Sequence, residues 1–461
     1  MTDRVLLMKL HLSNLGPIKH GEIELGDNTL FVGKPSTGKS TAMRALFYSL
    51  YCPGRLIQLR GDPLEVRDTS FFQRFSIDRK KTKKIYMNFI RDSLPEGKFK
   101  LEPINVLDFV LTQKLSYKEE YKPISLPPMY FPKICNNKDI ERLRYSLSNT
   151  IYEIGVNGDE GEVEVKADIS DVNETCLKDR RTLSSLSKAF MEIAQERISS
   201  QYCIGFNELL RDRGINGVVY IPYGRSFLAL QKFIMQEILD SSRFSLGESD
   251  LPFIIIRPNY LKKYYRGLST YNEKIFNLIK PLLKGQVIDL GKKLVYVEED
   301  KIIPWEYVSA SVLEIVSFLL SVKEGSLVLF EEPETQLHEE LQLLMGVVLY
   351  ALSSFNRIVI STHSQTILYT IAHLSMLRPT KEELKDLFED LKVKDYEALV
   401  EAVEKANQKE VKVKIYYFTE GEVKDVSVDE AVKGMPGTID VLEKGLKWLS
   451  SLHSKRLFGE G

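Results

Sequence analysis

Apolar and polar positions follow their most regular pattern in the last third of the chain. Two short apolar strands, SLVLF and RIVIS, are each followed by a helical pattern, at 334–352 and 364–375. Strands that alternate with helices in this way predict a parallel sheet. Near the start, an apolar strand at 28–32 runs through a glycine-bearing loop into a helix at 39–50. We therefore expect an α/β fold with a parallel or mixed core sheet.

The middle of the chain has other patterns. From 70 to 102 short apolar and polar runs alternate, which is typical of an antiparallel sheet, and the basic run RKKTKK at 79–84 falls where a turn is expected. The segments IYEIGV and EVEVKADI flank NGDEG, a strong hairpin signal. A long helical pattern covers 178–213, and a strand and turn cover 217–225. These patterns predict an antiparallel β subdomain and a helical insertion.

The length of 461 residues corresponds to roughly three domains, or to one large core with an insertion. We predict four segments. Residues 1–103 form an N-terminal lobe, 104–284 a largely helical insertion with a core strand near 217–225, 285–378 a C-terminal lobe, and 379–461 closing helices and a hairpin.

Composition excludes several classes of protein. The formal charge is −1, so any contact with nucleic acid has to come from a local basic patch. Cys52, Cys135, Cys176 and Cys203 form no CxxC pair, which argues against a disulfide scaffold and a zinc site. No apolar run approaches the roughly 20 residues of a membrane span, and the N-terminus lacks a signal-peptide core. We expect a soluble protein of the reducing cytoplasm.

The loop after the first core strand has the pattern of a phosphate-binding loop. Residues 33–40, GKPSTGKS, fit G-x-x-x-x-G-K-[ST], in which backbone N–H groups wrap phosphates. Lys39 would reach the β- and γ-phosphates and Ser40 would ligate Mg²⁺, whereas the alternative is a glycine-rich turn before an ordinary helix. The predicted nucleotide contacts here are Gly33, Lys34, Pro35, Ser36, Thr37, Gly38, Lys39, Ser40 and Thr41.

Two later strands end in residues that suit nucleotide hydrolysis. The strand LVLFEE ends in Glu331 and Glu332, and RIVISTHS ends in a serine, a threonine and His363. Parallel strands deliver such residues to the crevice at their carboxyl ends, where the phosphates would lie. Taken alone, the carboxylates suit a solvated helix start and the histidine a structural role. The order of phosphate loop, acidic strand and histidine strand is much more specific.

These segments together resemble the ABC-type ATPase heads of the SMC, RecF and OLD group, and more closely the AAA_15-type family of stand-alone ATPases. The opening LHLSNLGPIKHGEIELGDNTLFVGKPSTGKST resembles the family's first strand, glycine-proline turn and Walker A motif. FEEPETQLHEE resembles its Walker B motif and D-loop, and ISTHSQTIL its H-loop. GVVYIPYGRS resembles its YIPxxR segment, and the hairpin before SASVLEIVSFLL its signature region. Residues 104–210 match in general character alone.

The resemblance implies a role for each matching residue. Lys39 and Ser40 become the Walker A pair and Glu331 becomes the Walker B acid, which holds the Mg²⁺ shell together with Ser40. Glu332 becomes the catalytic base that polarises the attacking water, and His363 becomes the switch histidine on the γ-phosphate.

Other positions match the family less well. Ser309 and Ser311 fall where the signature of a partner subunit would touch the γ-phosphate, and Ser311 replaces the usual glycine. Arg225 takes the place of a Q-loop glutamine at the nucleotide, although a structural ion pair explains it equally well. Glu334 and His338 lie on the D-loop, where helix capping and charge pairing also explain them. Hydrolysis is therefore expected to be slow.

The resemblance implies a Mg²⁺-dependent ATPase, with ATP and Mg²⁺ as cofactors, that acts as a homodimeric nucleotide switch. Its effector would be a separate protein, in antiphage defence, genome maintenance or another DNA-related process. DNA contact through residues 79–84 is open, since such a run is usually a solvated turn. Two alternatives stand: a nucleotide-gated scaffold that does not hydrolyse ATP, and an ATPase of the OLD nuclease type. No DxD pair for nuclease metals follows His363.

Overall fold

A computed structural model of the chain describes residues 8–52, 56–67, 70–112, 151–154, 162–168, 179–224, 273–289 and 294–433, with Glu141 and Trp448. Contacts divide the chain into two compact units. Unit 1 comprises 1–47, 94–103 and 213–461, and unit 2 comprises 48–93 and 104–212.

The helices have the bounds α1 (Lys39–Leu50), α2 (Arg79–Ser93), α3 (Val106–Thr112), α4 (Arg180–Arg211), α5 (Glu273–Ile279), α6 (Ala310–Ser321), α7 (Glu339–Leu352), α8 (Gln365–Leu377), α9 (Lys381–Asp390), α10 (Glu397–Lys409) and α11 (Val428–Ala431). Two 3₁₀ turns lie at Lys280–Leu282 and Trp305–Tyr307. None of the described helices is long and apolar enough to cross a membrane.

Unit 1 is built on a nine-stranded mixed sheet. In order across it the strands are β10 (Gly217–Ile221), β14 (Ser326–Glu331), β15 (Arg357–Ser361), β3 (Asn28–Gly33), β16 (Val413–Phe418), β17 (Gly421–Val426), β2 (Ile18–Glu24), β1 (Lys9–Leu15) and β7 (Lys98–Glu102). The strands from β10 to β16 are parallel, whereas antiparallel pairs join β16 to β17 and β1 to both of its neighbours.

Three of the parallel strands, β3, β14 and β15, are almost wholly buried, which is why they read as nearly continuous apolar runs. Every residue of β14 is buried. One apolar cluster joins β3, β14 and β15 to side chains of α7, α8 and α10. The carboxyl ends of these strands are thereby fixed by the core of unit 1.

A small antiparallel sheet leads into α6. It consists of β11 (Gln286–Asp289), β12 (Leu294–Glu298) and β13 (Lys301–Ile303). Tyr296, Trp305 and Leu313 belong to one buried cluster, which ties this sheet to the start of α6.

Unit 2 holds a second antiparallel sheet. Its strands are β4 (Leu59–Gly61), β6 (Ser70–Ile77), β9 (Glu162–Asp168) and β8 (Ile151–Ile154) in this order, and β5 (Glu65–Arg67) pairs with β6. The longest helix, α4, begins at the N-cap Asp179, whose carboxylate accepts hydrogen bonds from the Arg181 and Thr182 N–H groups at 2.9 Å. A disulfide joins Cys52 to Cys203, with the two Cα atoms 5.6 Å apart.

The predicted α/β fold with a mixed core sheet is confirmed, and so are the hairpin of β8 and β9 and the long helix α4. The four-segment division of the chain stays a prediction. The predicted helix at 227–240 and the closing one near 438–453 lie outside the described residues, apart from Trp448.

Three predictions were wrong. Residues 79–93 form α2, so they are neither the turn predicted at 79–84 nor part of the antiparallel sheet predicted over 70–102, because Thr82, Tyr86 and Ile90 give them a buried face at helical spacing. The helix predicted from 334 starts at Glu339, since the preceding residues form a turn. The disulfide contradicts the inference that the cysteines form no disulfide. Cys52 and Cys203 are separated by 151 positions, so no local pattern indicated their pairing. The cysteines therefore give no support to a reducing compartment.

Candidate nucleotide-binding site

The loop 33–40 has the backbone of an anion-binding turn. Gly33, Ser36 and Gly38 have positive φ angles of 134°, 62° and 102°. A Cβ atom at position 38 would lie 2.6 Å from Cγ1 of Ile18, so glycine is required there. Ser36 holds a conformation that a residue with a side chain rarely adopts. Successive left- and right-handed residues form the concave nest of N–H groups that binds anions.

Lys39 lies folded into this loop. Its ammonium group is buried and donates hydrogen bonds to the Gly33 and Lys34 carbonyl oxygens, at 2.9 and 2.8 Å. Burial lowers the pKa of Lys39 to about 8, and the charges of Glu332 and Glu334 act against this decrease. Lys39 is therefore a cation at neutral pH, and it loses its proton in a pH range where binding can be measured.

The other loop residues divide into exposed and buried positions. Lys34, Pro35 and Ser36 are exposed, whereas Thr37 is buried and its hydroxyl donates to the Lys34 carbonyl oxygen at 2.8 Å. Ser40 and Thr41 follow Lys39 in the first turn of α1 and are partly buried. The predicted contacts of this loop thus lie together.

Three parallel strands end side by side at this loop. β15 lies between β14 and β3, and the register pairs Glu331 with Ser361 and Ser361 with Phe31. The Glu332 N–H donates to the Ser361 carbonyl oxygen at 2.8 Å, and the Thr362 N–H to that of Phe31 at 3.0 Å. Since neighbouring strands are about 4.8 Å apart, the end of β14 lies roughly 10 Å from the end of β3, the strand that enters the phosphate loop.

Glu331 ends β14 and is 1% exposed. Tyr220, on the neighbouring β10, lies close enough to the Glu331 carboxylate and to Arg44 of α1 for both groups to act on its pKa. Burial, and next the charge of Glu331, raises the pKa of Tyr220 well above its ordinary value. The backbone N–H of Tyr223 lies 3.5 Å from Oε2 of Glu331. Tyr220 is the first residue of the YIPxxR segment, but the sequence patterns gave it no role, and Arg44 belongs to none of the motifs named there.

Glu332 occupies the turn directly after β14. Its φ angle is 44°, in the left-handed region that non-glycine residues rarely occupy. Strained residues of this kind are found where the surrounding structure over-determines the backbone, frequently at functional sites. The hydrogen bond from its N–H to β15 supplies that constraint. The Glu332 carboxylate is partly exposed and acts on the pKa of both Lys39 and His363.

His363 lies at the end of β15, on the side of the phosphate loop. Its ring lies close enough to the backbone of Gly33 and to Lys39 for both to act on its pKa. Burial lowers its pKa, the charge of Lys39 acts in the same direction, and that of Glu332 acts against them. The ring is therefore neutral at pH 7, so one ring nitrogen carries a proton that it can donate.

Glu334 joins the two strand ends, which the sequence did not predict. Its carboxylate accepts hydrogen bonds from the Thr362 hydroxyl at 2.8 Å and from the His363 backbone N–H at 2.6 Å. The sequence alone indicated a D-loop position that capping or charge pairing explained equally well. A polar residue three positions after the acidic strand was the available signal.

The predicted signature residues lie at the start of α6. Ser309 is its N-cap, and its hydroxyl accepts from the Val312 N–H at 3.4 Å and lies 3.0 Å from the Ser311 hydroxyl. Ser309 is exposed and Ser311 is partly buried, and none of these hydrogen bonds reaches the phosphate loop. Arg225 lies outside the described residues.

The phosphate loop, the acidic strand and the histidine strand define a P-loop nucleotide-binding fold. A family model for the AAA ATPase domain AAA_15 matches residues 7–368, and the chain belongs to this family. No curated protein sequence matches the chain.

Solved structures similar to the chain are heads of SMC proteins. One is an SMC head bound to the C-terminal winged-helix domain of ScpA, with 10% identity, 93% of this chain and 99% of the other covered, and a TM-score of 0.33. The SMC head from Thermotoga maritima has 9% identity, 91% and 98% coverage, and a TM-score of 0.28. The Pyrococcus furiosus SMC head bound to the C-terminal domain of ScpA has 12% identity, 97% and 99% coverage, and a TM-score of 0.30. At these values the likeness adds nothing to the family match.

Proposed function

We propose that this ATPase-family protein hydrolyses ATP to ADP and phosphate in a Mg²⁺-dependent reaction at the ends of β3, β14 and β15. The observation that carries the proposal is the register of these strands, which sets Glu331 and Ser361 beside the strand that enters the phosphate loop. A buried acid, a strained second acid and a neutral histidine then surround one anion-binding turn.

The side chains present suit ATP and Mg²⁺. Gly33, Ser36 and Gly38 shape the turn for phosphate, and Lys39 supplies a cation. Mg²⁺ prefers oxygen ligands and is usually held by one or two protein groups together with phosphates. In the part of the chain that the structure describes, no group of three His, Cys, Asp or Glu side chains could hold a metal alone. Ser40 and Glu331 would hold Mg²⁺ jointly with the nucleotide, and Mg²⁺ would neutralise charge that develops on the phosphates.

Each acid and base has a distinct role in this proposal. Glu332 would accept the proton of the attacking water, because its carboxylate follows the buried strand and is itself partly exposed. His363 would donate a hydrogen bond from a ring N–H to the γ-phosphate. Lys39 would stabilise negative charge on the β- and γ-phosphates.

We further propose that two copies pair head to tail around two ATP molecules. Ser309, which is exposed, and Ser311, which is partly buried, lie at the N-terminus of α6 and would then meet the γ-phosphate bound by the partner. Arg225 would face the nucleotide. This pairing would turn ATP binding and hydrolysis into closing and opening, which a separate protein effector would sense. The resemblance to ABC-type heads supports this part of the proposal.

DNA is a second proposed partner, and α2 favours it. Its first turns expose Lys80, Lys81, Lys83 and Lys84, which can follow a phosphate backbone. Changing all four to Glu is expected to abolish salt-dependent DNA binding. Unchanged affinity would exclude this surface.

ATP turnover by the wild type, Lys39→Ala and Glu332→Gln tests the main proposal. We expect slow turnover in the wild type and at least a 100-fold loss in both variants, with ATP binding retained in Glu332→Gln. Tight binding without turnover in the wild type would reject hydrolysis and favour the nucleotide-gated scaffold.

A further inference from the structure

The turn between β14 and α7 is bound to the segment after β15 through one side chain. Glu334 uses each carboxylate oxygen for a different residue of that segment: Oε1 accepts from the His363 N–H at 2.6 Å, and Oε2 from the Thr362 hydroxyl at 2.8 Å. The acceptor is charge-assisted in both bonds when Glu334 is ionised, so each is stronger than a bond between neutral groups. Burial raises the pKa of Glu334, and the hydrogen bonds from His363 and Thr362 act against this increase.

The hydrogen bonds continue beyond Glu334. The Thr362 hydroxyl, while donating to Glu334, accepts from the Ser364 N–H at 2.9 Å. The Ser364 hydroxyl donates to Oε1 of Gln342 at 2.6 Å, and Nε2 of Gln342 donates to the Leu337 carbonyl oxygen at 2.9 Å. Ser364 also caps α8 by accepting from the Ile367 N–H. The turn 332–338, the first turn of α7 and the start of α8 are thus linked in one network.

We propose that Glu334 is a positioning residue that fixes the backbone of His363 against the turn carrying Glu332. Because Glu334 lies two residues after Glu332 in that turn, the link holds both groups in one arrangement. This inference rests on the proposed function, in which Glu332 and His363 act on the same nucleotide. It predicts that Glu334 acts through His363 and touches neither phosphate nor water.

The chemistry of the link explains why a carboxylate is needed. An ionised carboxylate offers two acceptor oxygens and needs no donor, which matches the two donors that face it. Glutamine would offer one acceptor oxygen and one NH₂ group. Its oxygen could accept from the His363 N–H, but its NH₂ group would then face the Thr362 hydroxyl, which would have to rotate to accept from it. Alanine would leave both donors without this partner.

Hydrogen exchange tests the link without reference to catalysis. We expect Glu334→Ala to increase amide exchange at His363 at least tenfold, read from peptides that cover 361–366, while exchange in the core of β14 stays unchanged. Thr362→Val is the matched control, because it removes the other donor and leaves the bond from the His363 N–H to Glu334. Unchanged exchange at His363 in Glu334→Ala, with the protein folded, would overturn the inference.

A double-mutant cycle tests whether Glu334 acts through His363. Below pH 7, where Lys39 keeps its charge, we expect Glu334→Ala to lower kcat about 10- to 100-fold, as removal of an orienting partner typically does, with the Kd for ATP changed less than threefold. In the His363→Ala background the same change should cost less than threefold. Equal losses in both backgrounds would overturn the inference. A wild type without turnover would contradict the proposed function, and the exchange measurement would still decide the position of His363.

Discussion

Unit 1 and unit 2 place buried polar groups differently. In unit 1 one set of them lies where parallel strands end, since Glu331, Ser361 and Thr362 are at most 1% exposed, and a second set lies where these strands begin. In unit 2 the buried Gln73 joins β6 to its surroundings, because its Nε2 donates to the Asp62 carbonyl oxygen at 2.8 Å and to the Ser187 hydroxyl of α4 at 3.0 Å. Parallel strands direct their carboxyl ends to one edge, whereas antiparallel strands divide theirs between two edges. This difference explains why the sequence of unit 1 contains motifs that predict a nucleotide site, whereas we identified no such motif in the sequence of unit 2.

Removing the disulfide has the largest expected effect, because the stability of unit 2 should depend on this bond whereas ATP binding should not. Changing Cys52 and Cys203 to Ser should lower the free energy of unfolding of unit 2 by about 2–5 kcal/mol, because the bond closes a long loop. ATP affinity should change less than twofold. Denaturant unfolding, followed by hydrogen exchange in α4, measures the first effect. Equal stability with and without the bond would contradict the prediction.

Removing the buried acid of unit 1, Glu331, should lower ATP turnover. In Glu331→Gln we expect turnover to fall about 100-fold, equal to about 2.7 kcal/mol, because Mg²⁺ loses a charged ligand. The Mg²⁺ concentration for half-maximal activity should rise, while ATP binding without Mg²⁺ is retained. Glu340→Gln is a control on an exposed carboxylate of α7. If Glu331→Gln turns over ATP as fast as the wild type at low Mg²⁺, Glu331 is not a ligand of Mg²⁺.

The pH dependence of ATP affinity tests the buried lysine. Since the pKa of Lys39 is about 8, well below the ordinary 10.5, the free protein loses this charge above pH 8 and must regain the proton to bind phosphate as a cation. The Kd for ATP should therefore rise up to about tenfold, or 1.4 kcal/mol, per pH unit above 8. Calorimetry in two buffers at pH 8.5 should show proton uptake. Lys39→Arg keeps its charge, so its profile should be flat, and an equally flat wild-type profile would contradict the shift.

The lowered pKa of Lys39 also determines how the free energy of unfolding changes with pH. The unfolded chain holds the Lys39 proton up to about pH 10.5, whereas the folded protein releases it near pH 8. Between these values the unfolded state binds more protons, so this group makes the folded state more stable as pH rises.

Much of the fold could be predicted because its signals are local. The apolar runs of β14 and β15, and the loop from Gly33 to Ser40, identify a parallel core without any knowledge of distant contacts. The basic run at 79–84 was misread because its charges hid the helical spacing of Thr82, Tyr86 and Ile90. Local charge density is a weaker guide than the period of the buried positions.

The parts of the site that escaped prediction depend on distant pairs. Tyr220 reaches Glu331 across 111 positions of the chain, and Glu334 reaches His363 across 29. A pattern within one segment cannot report such a pair, since it depends on strand order and register. Glu332 was predicted as a base from its place after the strand, whereas its left-handed backbone came from the bond to β15.

The central claim is that ATP held at these strand ends drives the pairing of two copies. The most direct measurement is the mass in solution of Glu332→Gln, by light scattering, with and without Mg²⁺ and ATP. We predict 52.9 kDa without nucleotide and about twice that mass with ATP. Lys39→Ala should remain at the lower mass under both conditions. An unchanged mass for Glu332→Gln at saturating ATP would contradict the account.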